Sequence, residues 1–105
     1  MSDYIVVYIT ASTKDEAVII AQNLVAKKLV SCANILGDIT SIYRWRNEIK
    51  NDKETAMIVK TKKTLLSDVL DEVKRHHSYE CPCIISLPIN GGSEDFLNWI
   101  GQETI

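Results

Sequence analysis

Residues 76–83, His-His-Ser-Tyr-Glu-Cys-Pro-Cys, bring two histidines and two cysteines into eight positions. Imidazole and thiolate are donors that zinc and copper favour, and four of them could complete a tetrahedron. The spacing is less obliging. Adjacent histidines diverge by about 100° on a helix or about 180° on a strand, so both reach one ion only from an irregular helix end. Cys81 and Cys83 share a face where a strand has begun. The pattern H-H-x4-C-x-C is not a structural zinc spacing. The alternative reading is that His76 closes a helix while the cysteines pack as small apolar residues.

A second set of chemically capable residues is Cys32, Tyr43, Trp45, Glu54 and Lys60. Tyr43 and Trp45 fall on one face by alternation, and an indole near a lysine suits an aromatic-lined cleft or a small-anion site. A set of this kind also serves as core plus interface. No nucleophile stands at a recognisable distance from a base, and no glycine-rich phosphate loop follows a strand. Gly91-Gly92 reads as a turn. Neither an enzyme nor an organic cofactor is expected from these residues.

The elements that would hold these side chains alternate in type. Tyr4–Thr10 is β-branched, aromatic and almost continuously apolar, which predicts a central strand. Thr13 and Glu16 have capping-box spacing, and Ala17, Ile20, Ala21 and Leu24 keep a helical period, predicting a helix over 13–28. Residues 31–46 read as a long strand kinked at Gly37-Asp38, returning through a polar turn at Asn47 or Asn51 into a strand over 54–62. Thr64 is a candidate cap for a helix burying Leu66, Val69, Leu70 and Val73, with Lys74, Arg75 and His76 at the negative end of its dipole. A buried strand over 83–89 and a short helix holding Phe96, Leu97, Trp99 and Ile100 complete the chain. This order predicts an α+β fold: a ferredoxin-like βαββαβ sandwich with a C-terminal helix and a long β2–β3 hairpin.

At 105 residues, with 46% hydrophobic and 25% charged side chains, the chain reads as one soluble domain over 1–105. No run approaches the roughly 20 apolar residues that span a bilayer. A net charge of −2 leaves no basic field for phosphates, so neither a nucleic acid nor a membrane is expected as partner. Asp3 stands where a secretory leader wants a basic residue, and three cysteines suit reduced thiols. Both favour the cytoplasm.

One length constrains the assembly. Sixteen residues from Ser31 to Arg46 would extend about 50 Å, against a radius of gyration of roughly 13 Å for a domain this long. The hairpin must therefore bend or leave the body. If it leaves, Ile42, Tyr43, Trp45, Ile49 and Met57 go into solvent, and a homo-oligomer is expected to cover them.

Read together, K-L-V-S-C-A-N-I at 28–35, S-I-Y-R-W-R-N-E-I at 41–49, H-S-Y-E-C-P at 77–82 and F-L-N-W-I at 96–100 resemble the CutA family, linked to divalent-cation tolerance. The resemblance covers nearly the whole chain and is carried by the order and spacing of its pieces. It implies a ferredoxin-like subunit in an intertwined homotrimer, with copper or another divalent metal as the ion. It further implies His76 and His77 as metal ligands. A cysteine that accompanies them in some members falls at Ile9. Ser78 and Cys83 replace a proline and a glutamate of the family pattern, and Asn47 replaces a turn glycine. Cys83 then joins the metal candidates as a thiol that favours softer ions such as Cu(I). The alternative function is a trimeric small-molecule binding or signalling module whose inter-subunit clefts use Tyr43, Trp45, Glu54 and Lys60, with Cys32 near the subunit boundary.

Overall fold

The computed structural model describes residues 3–105, so the first two positions of the unit expected over 1–105 lie outside it. The elements run β1 (Tyr4–Ala11), α1 (Lys14–Ala26), β2 (Cys32–Trp45), β3 (Glu48–Lys62), α2 (Leu66–His76), β4 (Ile84–Pro88) and α3 (Glu94–Gln102). The strands form one antiparallel sheet in the order β2-β3-β1-β4, the arrangement the element order predicts. Alternation on β1 sends Ile5, Val7 and Ile9 into a core with Ile20 and Leu24 of α1, Met57 and Val59 of β3, and Val69 and Val73 of α2. Tyr8 and Thr10 therefore belong to the opposite face.

Helix boundaries follow local chemistry. The Thr13 hydroxyl accepts from the Glu16 amide at 3.1 Å, as the capping box requires, but the Glu16 carboxylate reaches back one residue further, to the Ser12 amide at 3.0 Å. α1 ends at Ala26, short of the expected Lys28, because Lys28 turns left-handed at φ 59°. The Leu29 amide then donates to the Leu24 carbonyl and the Lys28 amide to the Val25 carbonyl, a Schellman closure with lysine where glycine is usual. Thr64 does not cap α2. A 3₁₀ turn over Lys63–Leu65 leads in, burying Leu65 in place of a side-chain cap.

The hairpin both kinks and leaves the body. Leu36 is bulged out of register beside Gly37, whose φ of 101° suits a residue without Cβ. Beyond it, β3 starts at Glu48, not at residue 54, because Arg46 and Asn47 at φ 49° and 67° make a two-residue turn. β1 pairs with β3 only over Thr55–Lys62, so the distal halves of β2 and β3 form a two-stranded arm. The arm exposes Ile42 and Ile49 and lengthens the molecule to 44 Å against 26 and 23 Å across. Met57 departs from expectation: it points into the core and is fully buried. β4 is an edge strand whose Ile85 and Leu87 are exposed, where its continuous apolarity suggested burial.

Candidate functional site

The segment between α2 and β4 is tied to the turn between β1 and α1. One Glu16 oxygen accepts from the Ser12 amide and hydroxyl, and the other accepts from the Ser78 amide at 3.1 Å. Burial by itself would raise this carboxyl, but the Ser12 and Ser78 hydrogen bonds hold it below the usual carboxylate range. Glu16 is thus a brace for the junction as well as a helix cap.

His77 is fixed inside this brace, with its side chain fully buried. Its Nε2 lies 2.7 Å from the Thr10 carbonyl, which can only accept, so Nε2 carries the proton. Its Nδ1 accepts from the Tyr79 amide at 3.0 Å, and the two rings are tilted with centroids 4.8 Å apart. Held this way, the imidazole has no lone pair left for an ion. His76, the last residue of α2, is anchored separately: its Nε2 meets Glu72 at 2.9 Å. Glu72 is itself buried and also takes Lys27 at 2.9 Å and Arg75, which with His76 hold its carboxyl below the usual range despite desolvation. In this arrangement the two adjacent histidines do not offer two imidazoles to one ion. Among the described residues, no three His, Cys, Asp or Glu side chains come together as a metal-binding group.

Next to the junction lies a cleft of about 690 Å³, within the range of small-molecule sites. Tyr43 and Trp45 of β2 and Glu54 of β3 form its arm side, Tyr8 and Thr10 of β1 its floor, and Tyr79, Cys81 and Cys83 its other wall. Cys83 is half-buried and Cys81 exposed, both as free thiols. Desolvation, together with the negative charge of Glu54, pushes the Cys83 thiol up. Neither histidine lines the cleft. Of the five hairpin candidates, Tyr43, Trp45 and Glu54 meet here, whereas Cys32 and Lys60 pair with each other across β2 and β3, elsewhere on the sheet. Lys60 donates to the Asn34 side chain at 2.6 Å and lies 5.6 Å from the Phe96 ring centroid. Tyr8, Thr10 and Tyr79 were not singled out as site residues by spacing. Strand parity carried a signal for the first two, since both alternate with the core residues of β1.

Compared with known proteins, residues 5–103 match the family described as CutA1 divalent ion tolerance protein. The chain belongs to this family. Over 99 residues it is 46% identical to the divalent-cation tolerance protein CutA of Archaeoglobus fulgidus, covering 94% of this chain and 95% of that one. It is 37% identical to the chloroplastic CutA protein of Arabidopsis thaliana, of whose length it spans 55%. A solved CutA from Archaeoglobus fulgidus, described as periplasmic, superposes with TM-score 0.92 at 44% identity, covering 95% and 97% of the two chains. The solved structure from Thermus thermophilus gives TM-score 0.94 at 38% identity, covering 96% and 98%.

Against the CutA pattern, the departures in this chain fall in different places. Ile9, where some members have a cysteine, is fully buried in the core. Asn47 holds the left-handed turn that a glycine would hold, which asparagine tolerates better than most residues. Ser78 and Cys83 both line the cleft. The family is named for tolerance of divalent ions and not for a catalysed reaction.

Proposed function

We propose that this protein serves divalent-cation tolerance as a cytoplasmic homotrimer that binds copper, with Cys83 as the donor bordering the cleft and the exposed Cys81 beside it. The observation that carries this reading is placement: of His76, His77 and Cys83, only Cys83 borders the open cleft. Two thiolates are soft donors and suit Cu(I), which tolerates low coordination numbers. The histidines would join only after release from Glu72, Thr10 and Tyr79. Free thiols call for a reducing compartment, which supports the cytoplasm. The trimer is supported by the arm, because an isolated two-stranded hairpin is marginal in water and this one exposes Ile42 and Ile49. Ile85 and Leu87 add further apolar surface to be covered.

The test is a competition titration of Cu(I) and Cu(II) against wild type, Cys83→Ser and the His76→Ala/His77→Ala double variant. Loss of Cu(I) affinity in Cys83→Ser is expected. Unchanged, weak binding in all three proteins would remove copper from this account. Sedimentation equilibrium checks the assembly, and a stable monomer would overturn the trimer. A second reading, a trimeric small-molecule binding module, is favoured by the size and aromatic lining of the same cleft.

A further inference from the structure

We propose that the cleft beneath the arm binds an organic cation bearing an alkylated ammonium group, with Glu54 as counter-ion and Tyr43, Trp45 and Tyr79 as aromatic walls. The sign of the charge decides the ligand class. Lys60 would have made the site attractive to anions, but it is held by Asn34 and Phe96 and does not line the cleft. The carboxylates in the lining are Glu54 and Glu80. Glu80 is met by Arg46 at 3.2 Å, with both side chains exposed. Among the described residues, Glu54 has no cationic partner within ion-pair distance, although it is 9% exposed. The nearby Lys53 donates instead to the Thr40 hydroxyl at 3.0 Å. A carboxylate so far out of bulk water attracts a cation more strongly than one on the surface.

The walls suit the same ligand. Alkylated ammonium groups are recognised through the faces of tyrosine and tryptophan rings, because their charge is spread over methyl groups that cannot donate strong hydrogen bonds. One of the rings is anchored at its hydroxyl, Tyr43 donating to Asp52, and Tyr79 packs against the buried His77 ring. Rings held beforehand lose little entropy on binding. Trp45 already attracts one cation at the rim, the Arg46 guanidinium lying 5.5 Å from its centroid. An inorganic divalent ion needs several converging donors, which the described residues do not supply here. An alkylated ammonium needs one carboxylate and ring faces. The site rests on Glu54 and the aromatic rings and does not use the Cys83 thiol, although Cys83 borders the same cleft.

The experiment is calorimetric titration of the full chain with choline and with its neutral isostere 3,3-dimethylbutan-1-ol. Saturable choline binding is expected, with the neutral compound weaker by about tenfold or more. Glu54→Gln should weaken choline by about tenfold. Trp45→Leu should weaken it by a similar factor, with sedimentation equilibrium checking that the variant's assembly is unchanged. Cys83→Ser should leave choline binding in place, which separates this site from the copper donor. Absence of saturable choline binding overturns the proposal and is the result expected if a basic side chain of a neighbouring subunit fills the cleft. Equal binding of the neutral isostere, or binding unchanged in both variants, also overturns it.

Discussion

Replacing His77 by alanine should destabilise the protein strongly even when no metal is present. The buried imidazole satisfies two backbone groups at once, the Thr10 carbonyl at 2.7 Å and the Tyr79 amide at 3.0 Å. Alanine leaves both without a partner in a space that the ring had filled. Each stranded buried group costs about 1–3 kcal/mol, so the pair amounts to roughly 2–6 kcal/mol. The Tyr79 ring, tilted against the imidazole, loses packing as well. His76→Ala is the control, since that half-exposed ring makes one bond to Glu72, which keeps Lys27 and Arg75; its cost should be about 1 kcal/mol. The assay is urea unfolding in chelator at one fixed protein concentration, because an oligomer's stability depends on that concentration. With a slope of about 1–3 kcal/mol/M, the His77→Ala midpoint should fall by roughly 1–2 M or more. The reasoning fails if His77→Ala unfolds within about 0.5 kcal/mol of wild type in chelator. It would then follow that the ring is not a structural clamp and is free to be spent on an ion.

Three further outcomes are expected. Glu72 titrates below its unfolded value, so its stabilisation is complete above the unfolded carboxyl pKa and is lost as pH falls through the lowered folded pKa. Glu72→Gln should accordingly be less stable than wild type at pH 7, and the gap should narrow as unfolding is measured down to about pH 3. Asn47→Gly should keep or slightly raise thermal stability, whereas Asn47→Val, which forces a β-branched residue to φ 67°, should cost about 1–2 kcal/mol. Met57→Ala should cost about 2–5 kcal/mol through the cavity left in the core, while Ile49→Ala on the arm should change subunit association and leave the core intact.

The fold was legible because its signals are local. Unbroken apolarity in β1, the helical period of α1 and the length of β2 each follow from the chemistry of neighbouring residues, and together they specify the βαββαβ order. The boundaries that failed lie where nothing is buried to mark them. Residues 48–53 are polar apart from Ile49 because the arm stands in solvent, so their pairing with β2 left no hydrophobic alternation to read. Met57 was placed in solvent because one strand runs from the arm into the core, and composition does not mark where that crossing falls.

The site was legible only in part. Tyr43, Trp45, Glu54 and Cys83 could be singled out by type, and the adjacent histidines by their rarity. By itself the sequence determined the element order, the left-handed tolerance of Asn47 and the family motifs, since these depend on residues next to one another. Tertiary structure alone decided which candidates share a space. It set Lys60 apart from Glu54 and brought Glu16, 61 positions before His77, into a common brace with the α2–β4 junction. It also gave both nitrogens of His77 to the backbone. Such outcomes follow from sheet register and from contacts between distant segments, and these exist only once the chain has closed on itself.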